Sequence, residues 1–226
     1  MRYDALANGF LHEVGQLATQ AGAVLVFDEI TAGWRSHFGG LHLRLGVNPD
    51  LAVFAKSLSN GFPMAAIIGR GSVMESAQGS FISSTYWTEA LGPAAAIATV
   101  QRLREADVVP QIQRAGRAVQ QVWREAAARH GLTVRVGGIP ALANFAFNHG
   151  EESRALMTLF TQEMLQAGFL AAGTFYPTYA HGDAEVVRYA AAVDATFARI
   201  RNSLTQGSVM QDLHGPVAHS GFARLT

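Results

Sequence analysis

The chain has 226 residues, of which 49% are hydrophobic and 15% charged, the composition of an ordinary globular protein rather than a disordered one. Seventeen Lys and Arg balance seventeen Asp and Glu, so there is no basic field for nucleic acid or anionic lipid. There is no cysteine, which excludes disulfides, thiolate metal sites and cysteine nucleophiles.

Met1-Arg2-Tyr3-Asp4-Ala5 lacks the basic cluster and apolar core of a secretory leader, and the longest apolar stretch, Ala21 to Phe27, is far too short to cross a bilayer. The expectation is a cytoplasmic protein without membrane contact. Phe10, Leu11, Val14, Leu17, Ala18 and Ala21 recur at helical spacing, with Gly22 as a stop. Ala23 to Phe27 is apolar at every position, as in a parallel strand covered on both faces, and Asp28-Glu29 stand at its carboxyl end. A loop rich in glycine and histidine leads to a second apolar run, Leu51 to Ala55, which ends at Lys56. Turn residues Ser59 to Pro63 precede a third strand over Ala65 to Ile68.

Glu89 to Glu105 and Val108 to His130 read as helices, with Pro93 tolerable in a first turn and Gly131 closing the second. Beyond them, Val134 to Val136 and Ala141 to Phe147 are strand-like, whereas Glu151 to Ala167 and Asp183 to Leu204 are helical. The pattern predicts an α/β domain with a mostly parallel sheet over residues 1–106 and a linking helix with a smaller α+β domain over 107–226.

Ligands of open α/β sheets lie beyond the carboxyl ends of the strands, where Asp28 and Lys56 both stand. Lys56 is the only lysine; the other sixteen basic residues are arginine. An acid at one strand end and a lysine at the next suit an electron-withdrawing pyridine cofactor, the acid holding the ring nitrogen protonated and the amine binding an aldehyde. The plainer alternative is a strand-end lysine that simply reaches solvent. The eight histidines show no metal-ligand spacing, His181 reads as a structural or rim residue, and no metal is expected.

Leu25-Val26-Phe27-Asp28-Glu29-Ile30, Gly33 and Arg35, Gly46 to Leu51, and Lys56 with Asn60-Gly61-Phe62-Pro63 together resemble class III pyridoxal-phosphate aminotransferases. Ser83 to Glu89 and His219-Ser220-Gly221-Phe222 most resemble the glutamate-1-semialdehyde aminomutase-like branch. The ordered series is more specific than any one segment.

The resemblance implies the large domain of a fold type I pyridoxal-phosphate transferase, with Lys56 as the Schiff-base lysine and pyridoxal 5'-phosphate as cofactor. It assigns Asp28 to the pyridine nitrogen, with helix capping as the bland alternative, and Ile30 to one face of the ring, with plain core packing as the alternative. Thr85 matches the position that binds the cofactor phosphate, commonly from the neighbouring subunit of a homodimer, against the alternative of capping the helix near Glu89. Glu29 and Arg35 match motif positions that more often form framework ion pairs.

The activity implied is transfer of an amino group between an amino donor and a carbonyl acceptor, or within one molecule in a mutase. The family's amino-terminal half, with its phosphate loop and its ring-stacking aromatic, has no counterpart in these motifs. A truncated, non-catalytic homologue or a split-enzyme subunit is therefore the second expectation. An unrelated α/β domain of flavodoxin-like type is the third.

Overall fold

The computed structural model describes residues 9–219 and 221. The leader reading at Met1 to Ala5 and the motif positions Ser220 and Phe222 lie outside them. The chain divides into two compact units, Met1–Ile112 and Gln113–Thr226, the division falling inside one long helix.

In the first unit the order is α1 (Phe10–Gln20), β1 (Val26–Asp28), α2 (Leu41–Leu45), β2 (Leu51–Phe54), β3 (Ala66–Gly69), α3 (Gly71–Met74) and α4 (Leu91–Glu105). The strands form one sheet in the order β1-β2-β3. β1 and β2 pair in parallel, Val26 opposite Leu51 and Asp28 opposite Val53, whereas β3 runs antiparallel to β2. The connections explain the difference. Residues 29–50 form a long crossover that contains α2, and a crossover of that length can return the chain to the same end of the sheet. Residues 55–65 make only a short-range return.

Pro93 falls in the first turn of α4, where its missing N–H costs no helical hydrogen bond. Among the described residues the expectation that Ala23 to Phe27 is covered on both faces is met only in part. Val24 and Val26 are about half exposed, as are Ile67 and Ile68 on β3. The buried cluster of this unit consists of Ala52, Phe54, Leu58 and Ala96. A fully apolar run records two faces that belong in an interior; the described residues partly cover the face of Leu25 and Phe27 and leave that of Val24 and Val26 half exposed.

The second unit comprises most of α5 (Val108–His130), then β4 (Val134–Gly137), β5 (Ala143–Phe147), α6 (Ser153–Gln166), β6 (Thr174–Phe175) and α7 (Asp183–Gln206). Its sheet is antiparallel in the order β4-β5-β6. Burial alternates along β5, with Ala143, Phe145 and Phe147 inward, as the two-residue period of a strand requires. Those side chains meet Val119 and Trp123 of α5, Leu156, Leu159 and Phe160 of α6, and Val193, Phe197 and Ile200 of α7. Phe145 sits 4.8 Å from the Trp123 ring and 5.0 Å from that of Phe160, so the core is a contiguous aromatic cluster.

Gly116 lets α5 lie against the turn at Pro140; a Cβ there would stand 1.9 Å from the Pro140 carbonyl oxygen. Gly131 ends α5 in the left-handed region at φ 61°. Among the described residues no helix is long and apolar enough to cross a membrane.

Candidate active site

Because β1 and β2 are parallel, their carboxyl ends share one end of the sheet. Asp28 is the last residue of β1, and Lys56 follows the last residue of β2 by two positions. Both side chains are exposed. Glu29 N–H donates to the Val53 carbonyl at 2.9 Å, carrying the ladder one residue beyond β1. The chain then turns sharply. Asp28 Oδ1 accepts from Ile30 N–H at 2.9 Å, and Gly33 N–H donates to the Glu29 carbonyl at 2.8 Å. Asp28 thus closes an Asx-type turn rather than capping a helix, which fixes the carboxylate at the strand end. Ile30 is half-buried.

Gly33 seats this turn on β2. A Cβ there would lie 2.6 Å from the Phe54 ring and 2.8 Å from the Glu29 carbonyl oxygen. Only glycine allows that approach.

The lysine side is locked to the same turn. Lys56 opens a 3-10 turn over Lys56–Leu58 with φ 48°, a left-handed backbone that costs a non-glycine residue on the order of 1 kcal/mol. Ser57 Oγ donates to the Gly33 carbonyl at 2.7 Å, and Lys56 Nζ donates to Thr31 Oγ1 at 2.7 Å. Thr31 is buried, at 5% exposure.

Behind the turn, Glu29 is buried, and its Oε1 accepts from both the backbone N–H of His42 at 2.8 Å and the His42 ring at 3.0 Å. Glu29 is therefore framework, tying the strand end to α2, as its motif position suggests.

Thr85 lies in an exposed turn ahead of α4. The first amides of α4, those of Leu91 and Gly92, are taken by the Glu89 carboxylate, so the capping role considered for Thr85 belongs to Glu89. His181 is structural: its Nδ1 accepts from Thr178 N–H at 2.9 Å, and its ring packs edge-on to Phe175. Among the described residues no group of three or more His, Cys, Asp or Glu is placed to hold a metal ion.

The site therefore brings Asp28, Ile30 and Lys56 to one end of one sheet. It adds three residues that sequence reasoning passed over: Thr31, Ser57 and, as a partner of Glu29, His42. Their polar side chains near the strand ends were the available signal, but only the strand register shows whom they touch.

The residues present suit a pyridine aldehyde cofactor. An exposed amine and an exposed carboxylate are each fixed by a hydrogen bond, of 2.7 and 2.9 Å, at adjacent strand ends, as a ring held at two points requires.

This fold is shared with solved pyridoxal-phosphate transferases of fold type I. The internal aldimine form of the Sphingopyxis sp. MTA144 FumI protein superposes with a TM-score of 0.81 at 24% identity, covering 87% of this chain and 48% of that one. An omega-transaminase from Sphaerobacter thermophilus gives 0.78 at 22% identity, covering 85% and 48%. The chain belongs to the class-III aminotransferase family, whose model matches residues 3–189.

Curated relatives include the 2'-deamino-2'-hydroxyneamine transaminase of Streptomyces kanamyceticus, 29% identical over 196 residues and covering 82% of this chain and 48% of that protein. The glutamate-1-semialdehyde 2,1-aminomutase of Pelotomaculum thermopropionicum is 30% identical over 211 residues, covering 84% and 48%. Transaminases and aminomutases thus match at similar identity. The chain spans about half the length of the curated relatives it matches.

Proposed function

We propose that this chain carries the lysine side of a pyridoxal-phosphate aminotransferase or aminomutase site. The observation that supports it is the placing of Asp28 and Lys56 at the carboxyl ends of neighbouring parallel strands, in a member of the class-III family. When bound, pyridoxal phosphate supplies an aldehyde carbon and a cationic ring that draws negative charge away from the substrate's α carbon.

Lys56 would hold the aldehyde through Nζ, and as a free amine that nitrogen would hold and move a proton. Asp28, already fixed through Oδ1, would pair with the ring nitrogen and keep it protonated. Ile30 would pack on one face of the ring. Thr85 offers its hydroxyl to the cofactor phosphate of a second subunit, which suits its place in an exposed turn and a homodimeric assembly. The substrates are then an amino donor and a carbonyl acceptor. The names of the relatives divide between intermolecular transfer and the mutase reaction.

One observation favours a second reading, in which the chain is one piece of a split enzyme or a non-catalytic homologue. The first unit leaves apolar side chains of β1 and β3 exposed, together with Phe81 at 98% and Trp87 at 66%. A surface of that kind marks a place where more polypeptide belongs.

Titration of the chain with pyridoxal phosphate, followed by addition of an amino donor, separates the two. The first reading expects a visible absorbance band that is lost in Lys56→Ala and bleached by donor. The second expects no bleaching.

A further inference from the structure

The contact between Lys56 and Thr31 is built more carefully than a surface lysine needs. Thr31 is one of the few buried polar residues of the first unit, and its Oγ1 accepts from Lys56 Nζ at 2.7 Å across 25 positions of sequence. The turn that carries Thr31 is pinned at three other points. These are the Asp28 to Ile30 hydrogen bond, the Gly33 N–H to the Glu29 carbonyl, and Ser57 Oγ to the Gly33 carbonyl. The lysine's own backbone is held in the left-handed region. A long side chain with four rotatable bonds therefore starts from one defined backbone geometry and ends on one defined acceptor.

We infer that Thr31 is a positioning residue for Lys56. Its buried hydroxyl holds the amine at a fixed place beside the Asp28 turn before any cofactor arrives. A threonine hydroxyl is both acceptor and donor, so it serves either protonation state of the amine. It accepts from the ammonium, and it can turn its own hydrogen to the lone pair of the neutral amine. The amine keeps its place when it gains or loses a proton. The hydrogen bond also restrains the amine as a nucleophile, because it occupies the nitrogen until another partner displaces it. This inference rests on Lys56 being the cofactor lysine for its biological meaning, but the contact itself is tested without cofactor.

Lys56 is the only lysine, so an amine acylating reagent has one side-chain target, and the amino-terminal amine separates in a different peptide. The full 226-residue chain, its Thr31→Val variant and its Thr31→Ser variant are exposed to limiting N-hydroxysuccinimidyl acetate at one pH, and Lys56 acetylation is followed by peptide mass spectrometry. Loss of one hydrogen bond to the amine is expected to speed acetylation roughly 2- to 10-fold in Thr31→Val. Thr31→Ser returns the parental rate. Equal rates in all three chains overturn the inference.

A measurement on the parent chain makes the test independent of how the valine variant folds. With isotope-labelled lysine, a nuclear Overhauser effect is expected between the Lys56 ε-methylene and the Thr31 methyl group, and its absence also overturns the inference. If the acetylation pattern holds while pyridoxal phosphate fails to attach to Lys56, the positioning contact stands and the cofactor reading falls.

Discussion

Asp28 lies opposite Val53 in the parallel β1–β2 ladder, and Lys56 stands three residues beyond Val53. This register brings an acid and an amine, 28 positions apart in sequence, to one end of one sheet. A one-residue slip of β2 would turn every side chain of that strand to the opposite face and expose Ala52 and Phe54, so the pairing depends on their burial and on the turn that follows Asp28.

Asp28→Asn keeps the Asx-type turn, since an amide oxygen still accepts from Ile30 N–H, but removes the charge proposed to pair with the cofactor's ring nitrogen. Hydrogen bonds to charged groups contribute about 1.5–3 kcal/mol, so retention of pyridoxal phosphate is expected to weaken roughly 10- to 100-fold. Spectrophotometric titration measures it. Unchanged retention would remove Asp28 from the cofactor site.

Gly33→Ala places a methyl group 2.6 Å from the Phe54 ring and 2.8 Å from the Glu29 carbonyl oxygen, where neither backbone nor aromatic ring can yield cheaply. The expected cost is about 1–3 kcal/mol, confined to the first unit. Hydrogen exchange should quicken at the β1 and β2 amides and stay unchanged on β5 and α7. Equal protection in the two proteins would show that the turn is looser than the contact implies.

Tyr189 offers a test of the second unit that does not involve the site. Burial pushes its phenol up to about 12 from an ordinary 10.0, outweighing the hydrogen bond from Trp123, which acts in the opposite direction. The Trp123 indole N–H donates to the Tyr189 oxygen at 2.9 Å. Because the folded value is raised, the stabilisation is fully present below pH 10 and is lost as the pH climbs towards 12. It amounts to about 2–3 kcal/mol. Difference titration of tyrosinate absorbance between the parent and Tyr189→Phe should show a midpoint near 12. A midpoint at the ordinary value would mean that the phenol is hydrated.

Much of the architecture could be read from residue order. The long helix α5 spans the predicted Val108 to His130 because an amphipathic run meets a glycine that accepts φ 61°. The three apolar runs became strands, and the motif series pointed to the family and to the end of the sheet where Asp28 and Lys56 stand.

What escaped was set by distance in sequence. The helix α2 has five residues, too few to show a period, and exists because its first turn binds Glu29, thirteen positions earlier. The strand β6 has two residues and is defined only by pairing with Ala143 and Asn144. Thr31 offered only a polar side chain near a strand end, since its importance comes from a register that places Lys56 against it. The expected covering of Ala23 to Phe27 is met only in part for a different reason: hydrophobicity reports that a face belongs in an interior, not which polypeptide supplies the cover.

The most direct measurement takes advantage of the lone lysine. The chain is incubated with pyridoxal phosphate, reduced with borohydride and digested, and the phosphopyridoxyl group is located by mass spectrometry. The expected result is near-stoichiometric modification of Lys56 in the parent chain, none in Lys56→Ala, and protection of Lys56 when an amino donor is added before reduction. Modification confined to the amino terminus, or Lys56 labelling unaffected by donor, would contradict the assignment of Lys56 as the cofactor lysine.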